Sequence, residues 1–292
     1  MPNFSPLRYP GGKYKTSKYI KHIVELNNCS TYIEPFAGGS AVSLSLLIEG
    51  SVKKIILNDY DKSIYCFWKS VLDHTDELIY LVNSTSVDMK NWYLQKEIQQ
   101  NKEQASTIEL GFSTLFLNRT NRSGIIKAGV IGGKSQIGNY KLDCRFQKDK
   151  IIDKIKLISS YRECIELYNL DAIDFITKVI KRTRKSFTFF DPPYFEKGPS
   201  LYTNFYNEND HLKLSKTIQQ DLKNRKWIVT YDNSSKIKDM YHKLEYFEYS
   251  LNYSAQNRTQ GIEYMFFSNK TAMGTPESFL KVNSLLQPQN NM

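Results

Sequence analysis

Residues 186–190, Ser-Phe-Thr-Phe-Phe, form an apolar run that stops at Asp191-Pro192-Pro193-Tyr194. Such a run reads as a buried strand, and neither proline can donate to a sheet ladder, so pairing must end there and the chain must turn. In an open α/β sheet that turn sits at the carboxyl end of a strand, where ligands bind. Because the prolines carry no N–H, the turn offers carbonyls and the Asp191 carboxylate as acceptors for an incoming NH2 group. Tyr194 adds an aromatic face suited to a planar base. Taken alone, the tetrapeptide also reads as a plain Pro-Pro turn with a solvent-facing carboxylate.

The first third of the chain supplies context. After the Gly11-Gly12 turn, Thr16 or Ser17 is placed to cap a helix carrying Tyr19, Ile20, Ile23 and Val24 on one face. Residues 31–36 read as a strand, 41–48 as a helix and 54–57 as a second strand ending in Asn58-Asp59, a β-α-β unit. Between its first strand and helix lies Glu34-Pro35-Phe36-Ala37-Gly38-Gly39-Ser40. Small residues there let a ligand approach the backbone, and the helix start presents free N–H groups, as a nucleotide-like cofactor requires. Asp59 stands where an acidic side chain accepts from ribose hydroxyls, and equally where a turn aspartate would stand. Asp171, after the strand read at 164–169, is a third acidic strand end, with a helix N-cap as its rival role. Near the start, Leu7-Arg8-Tyr9-Pro10-Gly11-Gly12-Lys13 puts a lysine before a helix, but the spacing and the Tyr14 that follows fail the phosphate-binding P-loop pattern.

From 62 to 160 the alternation breaks. Residues 64–82 and 92–116 read as two helices, and 118–145 as a loop-rich stretch with five glycines. That stretch carries Arg119, Arg122, Lys127, Lys134, Lys141 and Arg145 against a single acid, Asp143, with Asn118, Asn121 and Gln136 nearby. It offers cations to phosphates and amide or guanidinium forks to base edges, or else is a solvated basic loop. Strand signals return at 164–169, 186–190, 227–231, 247–253 and 263–268, the last two as a terminal hairpin, with helical spacing at 211–222. From Pro276 the chain turns polar and reads as a frayed tail.

Composition narrows the partner. Forty Lys and Arg against thirty Asp and Glu give a formal charge of +10 over 292 residues, which favours a polyanion. Cys29, Cys66, Cys144 and Cys164 form no CxxC pair, and His22, His74, His211 and His242 form no ligand spacing, so neither a disulfide framework nor a metal site is expected. No apolar stretch approaches the ~18 residues of a membrane span, and residues 1–5 lack a secretory pattern, so the expected location is the cytoplasm.

In this order, these residues resemble the Dam-like, D12 class of adenine-specific DNA methyltransferases, from Leu7 to about Asn269. The resemblance implies a Rossmann-like α/β sheet with a terminal antiparallel hairpin, its catalytic domain split over 1–61 and 161–275. Residues 62–160 would be an inserted, mainly helical target-recognition region and 276–292 a flexible tail. It implies S-adenosyl-L-methionine as cofactor, held by Tyr9, Lys13, Glu34, Phe36, Gly38, Asp59, Asp171 and Asp191. Asp59 would take the ribose and Asp171 the adenine amino group. Asp191, Pro192, Pro193 and Tyr194 would be catalytic, acting on N6 of an adenine flipped out of double-stranded DNA. The DNA itself would meet Arg119, Asn121, Arg122, Lys127, Lys134 and Lys141. Gly198, Leu201-Tyr202 and Asp210-His211 also match the family's loop after the tetrapeptide, and the cofactor motif precedes the catalytic one, as in the α-type order. The family's last glycine in the Glu34 turn is here Ser40. No recognition sequence carries over, and a cognate restriction endonuclease is a partner the resemblance leaves open. RNA or cytosine N4 as substrate, and a silent DNA-binding regulator, are the competing readings; Asp191 in place of serine weighs against cytosine.

Overall fold

The computed structural model describes residues 3–8, 13–196, 206–252 and 260–286. Parallel strands β1 (Thr31–Glu34), β2 (Lys54–Asn58), β3 (Ile165–Tyr168), β4 (Ser186–Phe190) and β5 (Lys226–Asp232) join antiparallel β6 (Tyr246–Asn252), β7 (Gln260–Phe267) and β8 (Lys281–Leu286). They form one sheet in the order β3-β2-β1-β4-β5-β7-β6-β8. This is the Rossmann-like α/β sheet with a terminal antiparallel hairpin that the sequence predicts.

Alternation along the strands sorts the apolar side chains between two cores. Tyr32, Ile55, Phe187 and Ile228 point to the face covered by α1 (Ser17–Leu26), α2 (Ala41–Ile48) and α3 (Lys62–Asp73). Ile33, Ile56, Phe190 and Val229 point to the other, covered by α8 (Ala172–Lys178), α9 (Glu208–Asp221) and α10 (Ser235–Met240). Burial on both faces explains why the central strands read as unbroken apolar runs.

Several boundaries differ from expectation. The helix read at 64–82 is two, α3 and α4 (Thr75–Ser84), broken at His74, whose φ of −129° leaves the helical region. The helix read at 92–116 is also two, α5 (Met89–Gln100) and α6 (Thr107–Thr120), because Ser106 and Glu109 form a capping box that starts a new helix. Consequently Asn118 and Arg119 belong to the last turn of α6 rather than to a loop. A further helix, α7 (Lys148–Ser159), closes the region between β2 and β3. Thr16 stands at the N-cap of α1 without capping it through its side chain; a 3-10 turn over Lys13–Thr16 leads in, with the Thr16 hydroxyl on the Lys13 carbonyl at 2.8 Å. The tail expected from Pro276 is corrected too: β8 pairs with β6 at the sheet edge. Its polar residues misled because an edge strand keeps one face in water.

Candidate active site

Parallel strands end together, so the acidic strand ends gather at one edge of the sheet. At β2, Asn58 is buried and stitches three strand ends: its amide donates to the carbonyls of Pro35 and Leu170, both at 3.0 Å, and its oxygen accepts from the Leu170 N–H at 2.9 Å. The Asp59 carboxylate accepts from the Gly38 N–H and the Asp61 N–H, each at 2.9 Å. The turn role is therefore realised, because Asp59 shapes the glycine turn. Gly38 adopts a φ of 45°, and its carbonyl accepts the Trp68 indole N–H at 2.9 Å. Ser40, where the family resemblance expects glycine, takes the left-handed conformation itself, at φ 47° and ψ 31°, with its N–H on the Ala37 carbonyl at 2.7 Å. The turn geometry survives the substitution at the cost of local strain.

Phe36 packs edge-on against Tyr206, with ring centroids 6.0 Å apart. Burial raises the Tyr206 phenol above its ordinary range, and the charges of Asp171, Asp210 and Asp59 add to it, so these groups surround one aromatic corner. Asp171 is exposed and uses Oδ1 as the N-cap of α8, accepting from the Ile173 N–H at 2.9 Å. Its rival role is therefore realised at one oxygen. Glu34 is buried at the end of β1, and burial, helped by the Asp191 charge, pushes its carboxyl up to about 8. Burial likewise pushes Asp59 up to about 7, with Asp61 adding.

Asp191 follows β4 as expected. Its Oδ1 meets the Lys13 ammonium at 2.8 Å and accepts the Thr230 hydroxyl at 2.8 Å. A quarter of the Asp191 side chain, 26%, stays open. The low-dielectric wall behind it raises the carboxyl, opposed by Lys13. Past the turn, Asp232 accepts the Phe195 and Glu196 N–H groups at 2.8 and 3.0 Å and fixes the chain's exit.

Tyr194 and Lys13 are not where a simple reading puts them. Tyr194 keeps only 5% of its surface open; the Lys13 ammonium lies 5.1 Å from its ring centroid, and its hydroxyl donates to Glu263 Oε1 at 2.6 Å. Lys13 is itself buried, between Asp191 and Glu263. Both residues first serve as internal scaffold of the turn. His211, buried in α9, holds Nδ1 2.8 Å from the Tyr231 hydroxyl, and burial pulls its ring down to about 4, so it is neutral. Tyr9, Gly11, Gly12, Gly198, Leu201 and Tyr202 lie outside the described residues.

The expected nucleic-acid contacts divide. Arg122, Lys127, Lys134 and Lys141 are exposed. Asn121 is not: it is buried, accepts the Trp92 indole N–H at 2.7 Å and donates to the Ile125 and Ile126 carbonyls at 3.3 and 2.8 Å. Its expected role at DNA is corrected, since every polar atom of its side chain is committed inside. Arg119 is half-buried beside Arg8, and among the described residues neither its Nε nor the Arg8 Nη1 has a hydrogen-bond partner. Burial and Arg8 lower the Arg119 guanidinium to about 10, and burial with Arg119 lowers Lys154. Among the described residues none of the three has a carboxylate partner, and the Arg8 backbone is clamped through both N–H and C=O by Asn118 at 2.7 and 2.8 Å. Spacing within 118–145 gave no sign of Arg8 or Lys154, because they come from other segments.

The pattern that describes the D12 class N6 adenine-specific DNA methyltransferases matches residues 9–259. The chain belongs to that family. Curated relatives include the type II methyltransferase M.MjaIII of Methanocaldococcus jannaschii, 28% identical over 72% of this chain and 77% of its own length. The type II methyltransferase M1.LlaDCHI of Lactococcus lactis subsp. cremoris is 25% identical over 78% of this chain and 80% of its own length. The type II methyltransferase M.CviBI of Paramecium bursaria Chlorella virus NC1A is 24% identical over 72% and 76%. The strand-end edge just described is therefore the candidate active site of a DNA methyltransferase, a family whose reaction needs a methyl donor. No described helix is long and apolar enough to cross a membrane, and the described residues hold no group of three or more metal-ligating side chains.

Proposed function

We propose that this protein is a site-specific DNA adenine methyltransferase that uses S-adenosyl-L-methionine to methylate N6 of an adenine flipped out of double-stranded DNA. The observation that carries the reading is the division of labour at Asp191. Lys13 and Thr230 hold Oδ1 while 26% of the side chain stays open, so the carboxylate, with the Pro192 carbonyl beside it, is placed to receive the two N–H groups of an exocyclic amine. Those two bonds hold the amine so that its lone pair is withdrawn from the ring and turned toward an electrophile. As the nitrogen gains positive charge, the Asp191 carboxylate stabilises it, and an N6 proton leaves to that carboxylate or to water.

The strand-end residues fit the cofactor. N–H groups at the start of α2 and the Glu34–Ser40 turn suit its amino-acid end, Asp59 its ribose, and the Phe36–Tyr206 corner with Asp171 its adenine. When bound, the cofactor supplies a methyl group on a sulfonium, which needs no metal. Buried Tyr194 anchors the turn, and stacking against the target base would use only its open strip. Exposed Arg122, Lys127, Lys134 and Lys141, with the Arg8, Arg119 and Lys154 cluster, supply cations for DNA phosphates.

The test is incubation of the folded, cofactor-bound protein with labelled S-adenosyl-L-methionine and, in parallel reactions, duplex DNA or RNA, followed by nucleoside mass spectrometry. N6-methyladenine is expected. Products on cytosine or RNA only, or none, overturn the reading.

A further inference from the structure

Glu263 lies within β7, on the antiparallel part of the sheet, paired with Asp232 at the end of β5, and belongs to none of the sequence motifs. Its side chain is 1% exposed. Oε1 accepts the Tyr194 hydroxyl at 2.6 Å and lies 3.4 Å from the Lys13 ammonium. Oε2 stands 3.2 Å from Lys13 and accepts the Tyr249 hydroxyl of β6. Tyr194 also accepts from Lys13 at 3.2 Å, closing a ring of three contacts. Lys13 is thus shared between two carboxylates, Glu263 and the catalytic-turn Asp191.

We propose that Glu263 is a positioning residue of the methyl-transfer site: a buried counter-ion that shares Lys13 with Asp191 and holds Tyr194, leaving Asp191 free to receive the reacting amine. The inference rests on the proposed reaction at Asp191. A buried ion pair adds little stability over an apolar pair of the same shape, so its presence beside a reacting carboxylate points to placement and charge control. Among the described residues, the groups facing Asp191 are Lys13 from the first turn, Thr230 and Tyr231 from β5, Tyr32 and Glu34 from β1, and Glu263 from β7. Lys13 is the one cation among them. How that cation is divided decides how strongly Asp191 is neutralised before the amine arrives. Glu263 takes a share of the Lys13 charge and adds a negative neighbour that keeps Asp191 basic.

Glu263→Gln keeps the shape and removes the charge. At saturating DNA and cofactor, kcat should fall about tenfold or more while KM for DNA stays within about threefold. The acid limb of the kcat profile should move to lower pH, because the whole Lys13 charge then falls on Asp191. Glu263→Asp, which restores the charge, should return that limb to its wild-type position. A purely structural glutamate would not move it. Glu263→Gln with wild-type kcat and an unmoved limb overturns the assignment. If that variant does not fold, Tyr249→Phe decides: it removes one hydroxyl that aims Glu263, and a kcat lowered about threefold or more supports the proposal, whereas wild-type kcat overturns it. A wild-type enzyme that makes no N6-methyladenine would instead refute the reaction itself.

Discussion

The indole N–H of Trp68, in the middle of α3, donates to the carbonyl of Gly38 at 2.9 Å. One hydrogen bond therefore ties the helical region after β2 to the Glu34–Ser40 turn. α3 packs against α6, which carries Arg119 at its end, so the turn and the cationic surface share a rigid support. Trp68→Phe should weaken cofactor binding by about threefold to tenfold, the loss of one buried hydrogen bond at roughly 1 kcal/mol. Calorimetric titration with S-adenosyl-L-methionine measures it; unchanged affinity would detach Trp68 from the turn.

Asp191→Asn keeps the size of the side chain but presents an amide to an amine that needs acceptors. Methyl transfer should drop by about a thousandfold, with DNA affinity changed by less than about threefold. Single-turnover methylation and filter binding on the same preparation separate the two. Retained activity would remove Asp191 from the reaction.

Stability should fall as pH rises. Burial holds Glu34 up to about 8 and Asp59 up to about 7, whereas in the unfolded chain both return to roughly 4. Between those values the folded protein keeps protons that the unfolded chain has released. This contribution is complete below about pH 4 and lost by about pH 8. Urea midpoints taken from pH 5 to about pH 8 should decline, and Glu34→Gln should flatten most of the slope. A midpoint that rises over that window would refute the buried, protonated Glu34.

Ser40→Gly should preserve activity and raise stability by up to about 1 kcal/mol, since glycine occupies the left-handed region without strain but loses more chain entropy on folding. Urea unfolding reads the difference. A loss of stability would mean that the Ser40 hydroxyl on the Ala37 carbonyl, at 3.2 Å, outweighs the strain.

Arg119→Gln and Lys154→Gln should each weaken DNA binding and reduce its salt slope by about one. Asn121→Ala should lower stability by about 1–3 kcal/mol, through the orphaned Trp92 indole, and leave the salt slope alone. Titrations at several salt concentrations distinguish them, and the opposite pattern would put the DNA elsewhere.

Much of the sheet was legible because its signals are local. A strand stopped by Pro192-Pro193, a turn at Gly38-Gly39 and an acid at Asp59 are each written in a few neighbouring residues, and parallel pairing then brings strand ends to one edge. Helix breaks at His74 and Ser106 were less legible, since apolar spacing runs on across them and only capping geometry shows the restart. Asn118, Asn121 and Gln136 illustrate the limit more sharply. An amide in a basic stretch looks the same whether it faces DNA or ties the chain together, and only burial tells.

The sequence by itself determined that Asp191, Asp59 and the glycine turn hang from strand ends, because strand period and proline chemistry are local properties of the chain. The tertiary structure decided which partners set their chemistry. Glu263 meets Lys13 across 250 residues, Thr230 meets Asp191 across 39, and Trp68 meets Gly38 across 30. No short-range pattern encodes such pairs. Their charges and hydrogen bonds acquire value only when packing excludes water around them, and that happens only once the antiparallel strands and the helices after β2 have closed against the parallel sheet.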